Sequence, residues 1–235
     1  MSFLMNRRLA NARGGIFDRV CALAGLVVLA PLCVVAACAI LVEDGWPVVY
    51  KQERIGRWGA RFWLYKFRSM RMGQPGMAVT AAGDARLLRV GRVLRKYKID
   101  ELPQLWNVLK GDMRLVGPRP EVPPFVDLAH SSWREVLAVP PGLTDLATLV
   151  YRNEEAMLAN REAPEQFYRD TILPAKLALS VSYLRQRSFW LDLKLIAMTT
   201  RYAALPASFD PSRILQPLGV QPPAIVPESG SREPS

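Results

Sequence analysis

The sequence predicts a helix-rich α+β fold attached to a membrane, on three observations. Val20 to Val42 is a run of 23 residues without a charge. Two β-rich, aromatic segments follow it, and from Asp84 onward the apolar residues recur mainly at helical spacing. At 235 residues the chain has room for one domain, or one domain with appendages.

The apolar run is long enough for a spanning helix, since about 20 residues suffice. Arg7, Arg8, Arg13 and Arg19 precede it and hold the N-terminus in the cytoplasm. Downstream, Lys51, Arg54, Arg57, Arg61, Lys66, Arg68 and Arg71 prefer the same side, so both ends belong on one face. Pro31 stands at the middle, where it removes a helix hydrogen bond and clashes with the preceding turn, so a bend is expected there. Residues alone leave a re-entrant hairpin and a kinked span both open, because kinked spans also carry proline. A cleaved signal ending in Val35-Ala36-Ala37-Cys38 is disfavoured, because the run exceeds the usual signal core of about 7–15 residues. Cys21, Cys33 and Cys38 all lie in this run, which excludes a disulfide framework or zinc knuckle, and the single histidine, His130, excludes His-based metal sites.

Pro47–Arg54 and Arg61–Phe67 read as strands joined by a Gly56–Gly59 hairpin loop, and 73–83 as a surface loop. From Asp84 to Lys96 leucines and valines alternate with arginines, giving a basic amphipathic helix suited to an anionic membrane. Leu102, Leu105, Trp106 and Leu109 predict a helix with one buried face, Asp100 at or near its N-cap and Gly111 as its stop. Helices are expected over 164–187, interrupted at Pro174, and over 188–202, with Leu191, Leu195 and Met198 as an apolar stripe. A flexible, proline-rich tail is expected over 205–235.

The net charge of +10 favours an anionic partner: nucleic acid, anionic lipid or a phosphorylated substrate. Between Lys51 and Arg119 stand 16 basic and 5 acidic residues, and the acids include the adjacent pair Asp100 and Glu101. Such a pair commonly caps a helix and favours its dipole. In a basic setting the same carboxylates serve to attack phosphorus or to hold a divalent cation, while arginines offset phosphate charge. Arg95, Arg119 (fixed between two prolines), Lys66 and Arg68 are the candidate phosphate ligands.

Three stretches carry a resemblance: Tyr65-Lys66-Phe67-Arg68-Ser69-Met70, the run from Asp100-Glu101-Leu102-Pro103-Gln104-Leu105-Trp106-Asn107 to Gly111-Asp112-Met113, and Val116-Gly117-Pro118-Arg119-Pro120. Together with the membrane segment, Pro140–Thr144 and Ser188–Lys194, the chain resembles the bacterial sugar transferases, monotopic polyprenyl-phosphate sugar phosphotransferases, over residues 13–204.

The resemblance implies a basic cytoplasmic N-terminus over 1–19, a re-entrant hairpin over 20–42 bent at Pro31, a catalytic domain with amphipathic interface helices over 43–204 and the tail beyond. It implies that Asp100 attacks the sugar-bearing phosphate of a UDP-sugar, that Glu101 with Asp100 holds Mg2+, and that Arg95 and Arg119 bind phosphate. The acceptor it implies is undecaprenyl phosphate at the cytoplasmic face of the bacterial inner membrane, with no nucleic acid partner; a homodimer stays open. Ala30-Pro31 replaces the family's Ser-Pro, and Thr144-Asp145-Leu146-Ala147-Thr148 stands where many members have Thr-Gly-Trp-Ala-Gln. The small form of the family is expected. A membrane-tethered basic module binding nucleic acid or anionic lipid is the rival of another class; it predicts salt-sensitive binding without UMP release.

Overall fold

The computed structural model describes residues 2–73, 83–159, 161–208, 210 and 215, with side chains from Gly15 onward. The helices are α1 (Ser2–Val28), α2 (Ala30–Asp44), α3 (Arg89–Lys96), α4 (Gln104–Lys110), α5 (Ser131–Val136), α6 (Leu146–Val150), α7 (Glu154–Leu158), α8 (Pro164–Phe167), α9 (Leu173–Gln186) and α10 (Phe189–Ala204). The strands are β1 (Val49–Ile55), β2 (Arg61–Phe67), β3 (Arg114–Val116) and β4 (Gly142–Thr144), so the fold is helix-rich α+β.

No single described helix is long and apolar enough to cross a membrane, but α1 from Gly15 and α2 together are, bent by 60°. The break is at Leu29, two residues before Pro31, which sits in the first turn of α2 where it needs no intrahelical donor. One face of the pair is packed. Ala22 of α1 joins Leu64, Leu105, Val108 and Met113, and Ala36 and Ile40 of α2 join Val48, Phe67 and Leu94. The opposite face leaves Val20, Val27, Val28, Val34, Val35 and Val42 in the open.

β1 and β2 form the expected antiparallel hairpin, from Val49↔Phe67 to Ile55↔Arg61. The turn closes through Gly56 N–H donating to the Ala60 carbonyl at 2.7 Å, with Gly59 at φ +77°. β3 and β4 form a parallel ladder pairing Arg114 with Gly142 and Val116 with Thr144. No sequence signal announces it, since each strand has only three residues. Gly117 and Gly142 make the approach feasible, because a Cβ on either meets the backbone of the other segment.

Several boundaries differ from the sequence expectation. Helix α3 starts at Arg89, not Asp84, because Asp84 turns the chain by binding Arg86, and Glu43 from the end of α2 caps α3 by accepting from the N–H groups of Arg89 and Val90 at 2.7 and 2.8 Å. Asp100 is not the cap of α4. A 3-10 turn, Ile99–Glu101, enters through Lys98 at φ 56°, and α4 begins only at Gln104; Gly111, at φ 92°, ends it as expected. Trp106 is half exposed, while Gln104 and Asn107 are buried instead. Asn107 is tolerated inside because its amide donates to the Trp63 carbonyl at 2.7 Å and its oxygen accepts from Tyr65 N–H at 3.2 Å.

The 164–187 segment breaks before Pro174, at a π-helical turn, Tyr168–Ile172, that links α8 to α9. Ser188 caps α10 by accepting from Leu191 N–H, and Leu195 lies in the main core with Leu191 and Met198 against it. Most of the 73–83 loop and of the tail lie outside the described residues.

Candidate active site

A cavity of about 500 Å³ opens between the end of β2, the 3-10 turn, the loop after β3, helices α6 and α7, and the π turn. Its lining brings together Lys66, Arg68, Arg95, Asp100, Glu101 and Arg119, which are scattered over 54 residues of sequence. Proline on both sides of Arg119 and the left-handed Lys98 set the two backbones that face each other here.

Glu101 is the anchor of this group. Arg119 grips both of its oxygens, Nη2 to Oε1 at 2.6 Å and Nη1 to Oε2 at 3.2 Å, and Lys66 Nζ adds a contact to Oε1 at 3.4 Å. Asp100, 5% exposed, is placed differently: its Oδ1 is buried and has no hydrogen-bond partner. An orphan carboxylate oxygen is unfavourable in a fold, which fits an atom kept for a ligand or a reaction.

The two acids are pushed apart electrostatically. Burial, and then the neighbouring Glu101 charge, raise the Asp100 carboxyl above the ordinary range against the pull of Lys66, Lys98 and Arg95. Burial acts on Glu101 in the same sense, yet Arg119, Lys66 and Lys98 together hold it well below the usual value. Lys66 is brought down to about 8, chiefly by burial, with Glu101 opposing. Glu101 is therefore a fixed anion, while Asp100 carries a proton far more readily than an exposed aspartate.

Arg95 reaches the site through Ser69 Oγ at 2.8 Å and Glu155 Oε1 at 2.7 Å. Arg68 is placed differently from the other cations. It is 3% exposed, and its guanidinium donates to the carbonyls of Asp44, Gly45 and Trp46 and pairs with the Asp44 carboxylate at 3.2 Å. Its terminal nitrogens clamp the end of α2, while its buried Nε has no hydrogen-bond partner. Asp112 stays in its own turn, accepting from Asn107 and Lys110. Lys98, Glu121, Tyr151, Glu154, Tyr168 and Lys176 also line the cavity. Only Lys98 and Glu121, beside recognised motifs, had any sequence signal.

Among the described residues no group of three or more Asp, Glu, His or Cys side chains is placed to hold a metal ion. Mg2+ does not require one, since it keeps several waters and binds one or two carboxylates together with substrate phosphates. Asp100, with its unpaired oxygen, fits that role; Glu101 fits only as its ion pairs with Arg119 and Lys66 loosen.

The profile of the family described as bacterial sugar transferase matches residues 10–205. The chain belongs to that family. A UDP-glucose:undecaprenyl-phosphate glucose-1-phosphate transferase of Caulobacter vibrioides is 37% identical over 194 residues, covering 80% of this chain and 68% of the relative. A UDP-N-acetylgalactosamine-undecaprenyl-phosphate N-acetylgalactosaminephosphotransferase of Aeromonas hydrophila is 36% identical over 78% of this chain, and an undecaprenyl-phosphate glucose phosphotransferase of Komagataeibacter xylinus 36% over 79%. This sugar transferase spans only 42% and 34% of the length of those two. The relatives differ in the sugar they are named for, so membership alone leaves the sugar of this sugar transferase unassigned. Lys66, Arg95 and Arg119 turn inward onto acids around the cavity, while Arg89, Arg92 and Lys96 of α3 stand exposed.

Proposed function

We propose that this sugar transferase moves a sugar 1-phosphate from a UDP-sugar to undecaprenyl phosphate at the cytoplasmic face of the bacterial inner membrane. UMP is released, and the product starts an exopolysaccharide, capsule, O-antigen or glycoconjugate. The observation that carries the reading is the unpaired, buried Oδ1 of Asp100 in a basic cavity of a family member.

In the first step an Asp100 carboxylate oxygen attacks the sugar-bearing phosphorus. The bond from that phosphorus to the bridging oxygen breaks, its electron pair leaves with UMP, and a phosphosugar-aspartyl enzyme remains. In the second step an oxygen of undecaprenyl phosphate attacks the same phosphorus and Asp100 departs as a carboxylate. Anion meeting anion costs about 4 kcal/mol per charge pair at 4 Å and an effective dielectric of 20. Arg119, Lys66, Arg95 and Lys98 offset this charge from the cavity wall. Bound Mg2+, held by Asp100 or Glu101 with the donor phosphates, supplies further neutralisation. The open apolar face of α1 and α2, with Phe189 and Trp190 exposed at the start of α10, supports a monotopic placement in which the bent pair enters and leaves by one leaflet.

Intact-protein mass spectrometry after incubation with a UDP-sugar and no acceptor tests the mechanism. A phosphosugar adduct on the parent protein and none on Asp100→Asn is expected, together with near-complete loss of UMP release. An undiminished rate in Asp100→Asn sinks the assignment.

A further inference from the structure

The cavity has a second polar wall that the phosphoryl transfer does not use. Lys176, itself buried, donates to Glu154 Oε2 at 2.9 Å and to the Tyr168 hydroxyl at 3.2 Å. Tyr168 donates onward to Glu121 Oε2 at 2.7 Å, and Arg54 holds the other Glu121 oxygen at 3.3 Å. The formal charges on this wall cancel, Lys176 and Arg54 against Glu154 and Glu121, while the dyad side has the cations for phosphate. Arg119 stands between the two, within electrostatic reach of Glu101 and also of Glu154 and Glu121.

Two features of the balanced wall point to a ligand. Tyr151 lines the cavity and is 3% exposed, and its buried hydroxyl has no hydrogen-bond partner. Glu154 uses Oε2 for Lys176, and its side chain remains 30% exposed. An unpaired buried phenol and a carboxylate with spare acceptor capacity suit a neutral group that both accepts and donates, which is the chemistry of a hydroxyl-bearing ring. With no net positive charge, this wall offers a diphosphate less than the dyad side does.

We infer that Tyr151, Glu154 and Lys176 form a subsite for a hydroxylated ring of the nucleotide-sugar donor. Glu154 accepts from a ring hydroxyl, while the Tyr151 hydroxyl and the ammonium hydrogen of Lys176 not used by Glu154 or Tyr168 donate to ring substituents. The inference rests on the proposed donor, which carries two such rings, the sugar and the ribose.

Equilibrium titration of the full chain in detergent, in an Asp100→Asn background that blocks turnover, separates these sources. The ligands are UMP and a panel of UDP-glucose, UDP-galactose and their N-acetylated counterparts. Tyr151→Phe is the decisive variant, because it deletes only the unpaired hydroxyl; Glu154→Gln also loosens Lys176 and serves as support. Tyr151→Phe is expected to unfold at the same or a higher temperature and to weaken UDP-sugar binding about 5- to 30-fold. Unchanged UMP affinity assigns the subsite to the sugar, and an equal loss for UMP assigns it to the ribose. Unchanged UDP-sugar affinity overturns the inference, whether or not the unfolding temperature falls. A parent that binds none of the UDP-sugars removes the donor reading itself, and this subsite with it.

Discussion

At the scale of single residues, the site works by holding neighbouring groups in unlike protonation states. On the proposed mechanism Asp100 attacks only as a carboxylate, so its raised pKa should put an acid limb on UMP release, with activity climbing as pH rises through a value above the ordinary aspartate range. Lys66, with its pKa lowered to about 8, loses its charge as pH rises through that value, and the rate should fall on that side. Lys66→Arg keeps a cation at every accessible pH, so its normalised profile should lack the fall near 8 while keeping the acid limb. An alkaline limb that persists in Lys66→Arg belongs to another group. Arg119→Lys retains charge but not the two-pronged grip on Glu101, and a loss of about 10- to 100-fold in UMP release is expected. Arg57→Lys, in the hairpin loop outside the cavity, is the comparison; equal and mild effects at both positions would make Arg119 part of a diffuse basic surface.

Secondary-structure elements were legible in the sequence where the signal was local. The hairpin, the Gly111 stop and the last helix from about residue 188 depend on residues close in sequence and match. Asp100 did not become a cap, because Lys98 adopts a left-handed backbone and the chain spends a 3-10 turn before α4; nothing in the spacing of Leu102, Leu105 and Leu109 encodes that turn. Arg68, read as a phosphate ligand, spends its terminal nitrogens on the end of α2, because sequence gives a side chain's charge and not its direction. The start of α3 was misread because its cap is Glu43, 46 residues away. Gly91 had no sequence rationale, and the fold supplies one: α3 lies so close to the Ser69 carbonyl that any Cβ collides with it. Gly91→Ala should therefore destabilise by about 1–3 kcal/mol in thermal unfolding, despite alanine's better helix propensity. Gly15→Ala, with open space around it, should not destabilise.

For the whole molecule, the proposed monotopic placement puts both ends of the bent pair on one side of a bilayer. With Cys21, Cys33 and Cys38 replaced, Ala10→Cys and Ala60→Cys report the two sides of the bend. Neither should react with an impermeant thiol reagent in intact cells, and both should react once the cells are opened. Labelling at 60 alone in intact cells means a true span, which strands Asp100 on the side without nucleotide sugars.

The Arg68 clamp then acquires a mechanical meaning. It fastens the end of α2 to the strand end that carries Lys66, so the bent apolar pair and the cavity wall are tied together. On a monotopic placement, the height of the reactive carboxylate above the headgroups is set by how deep the bent pair sinks, and the leaflet's own phosphate plane serves as the ruler. A polyprenyl acceptor diffusing in that plane then needs no lifting to meet the enzyme, and its search is reduced from three dimensions to two.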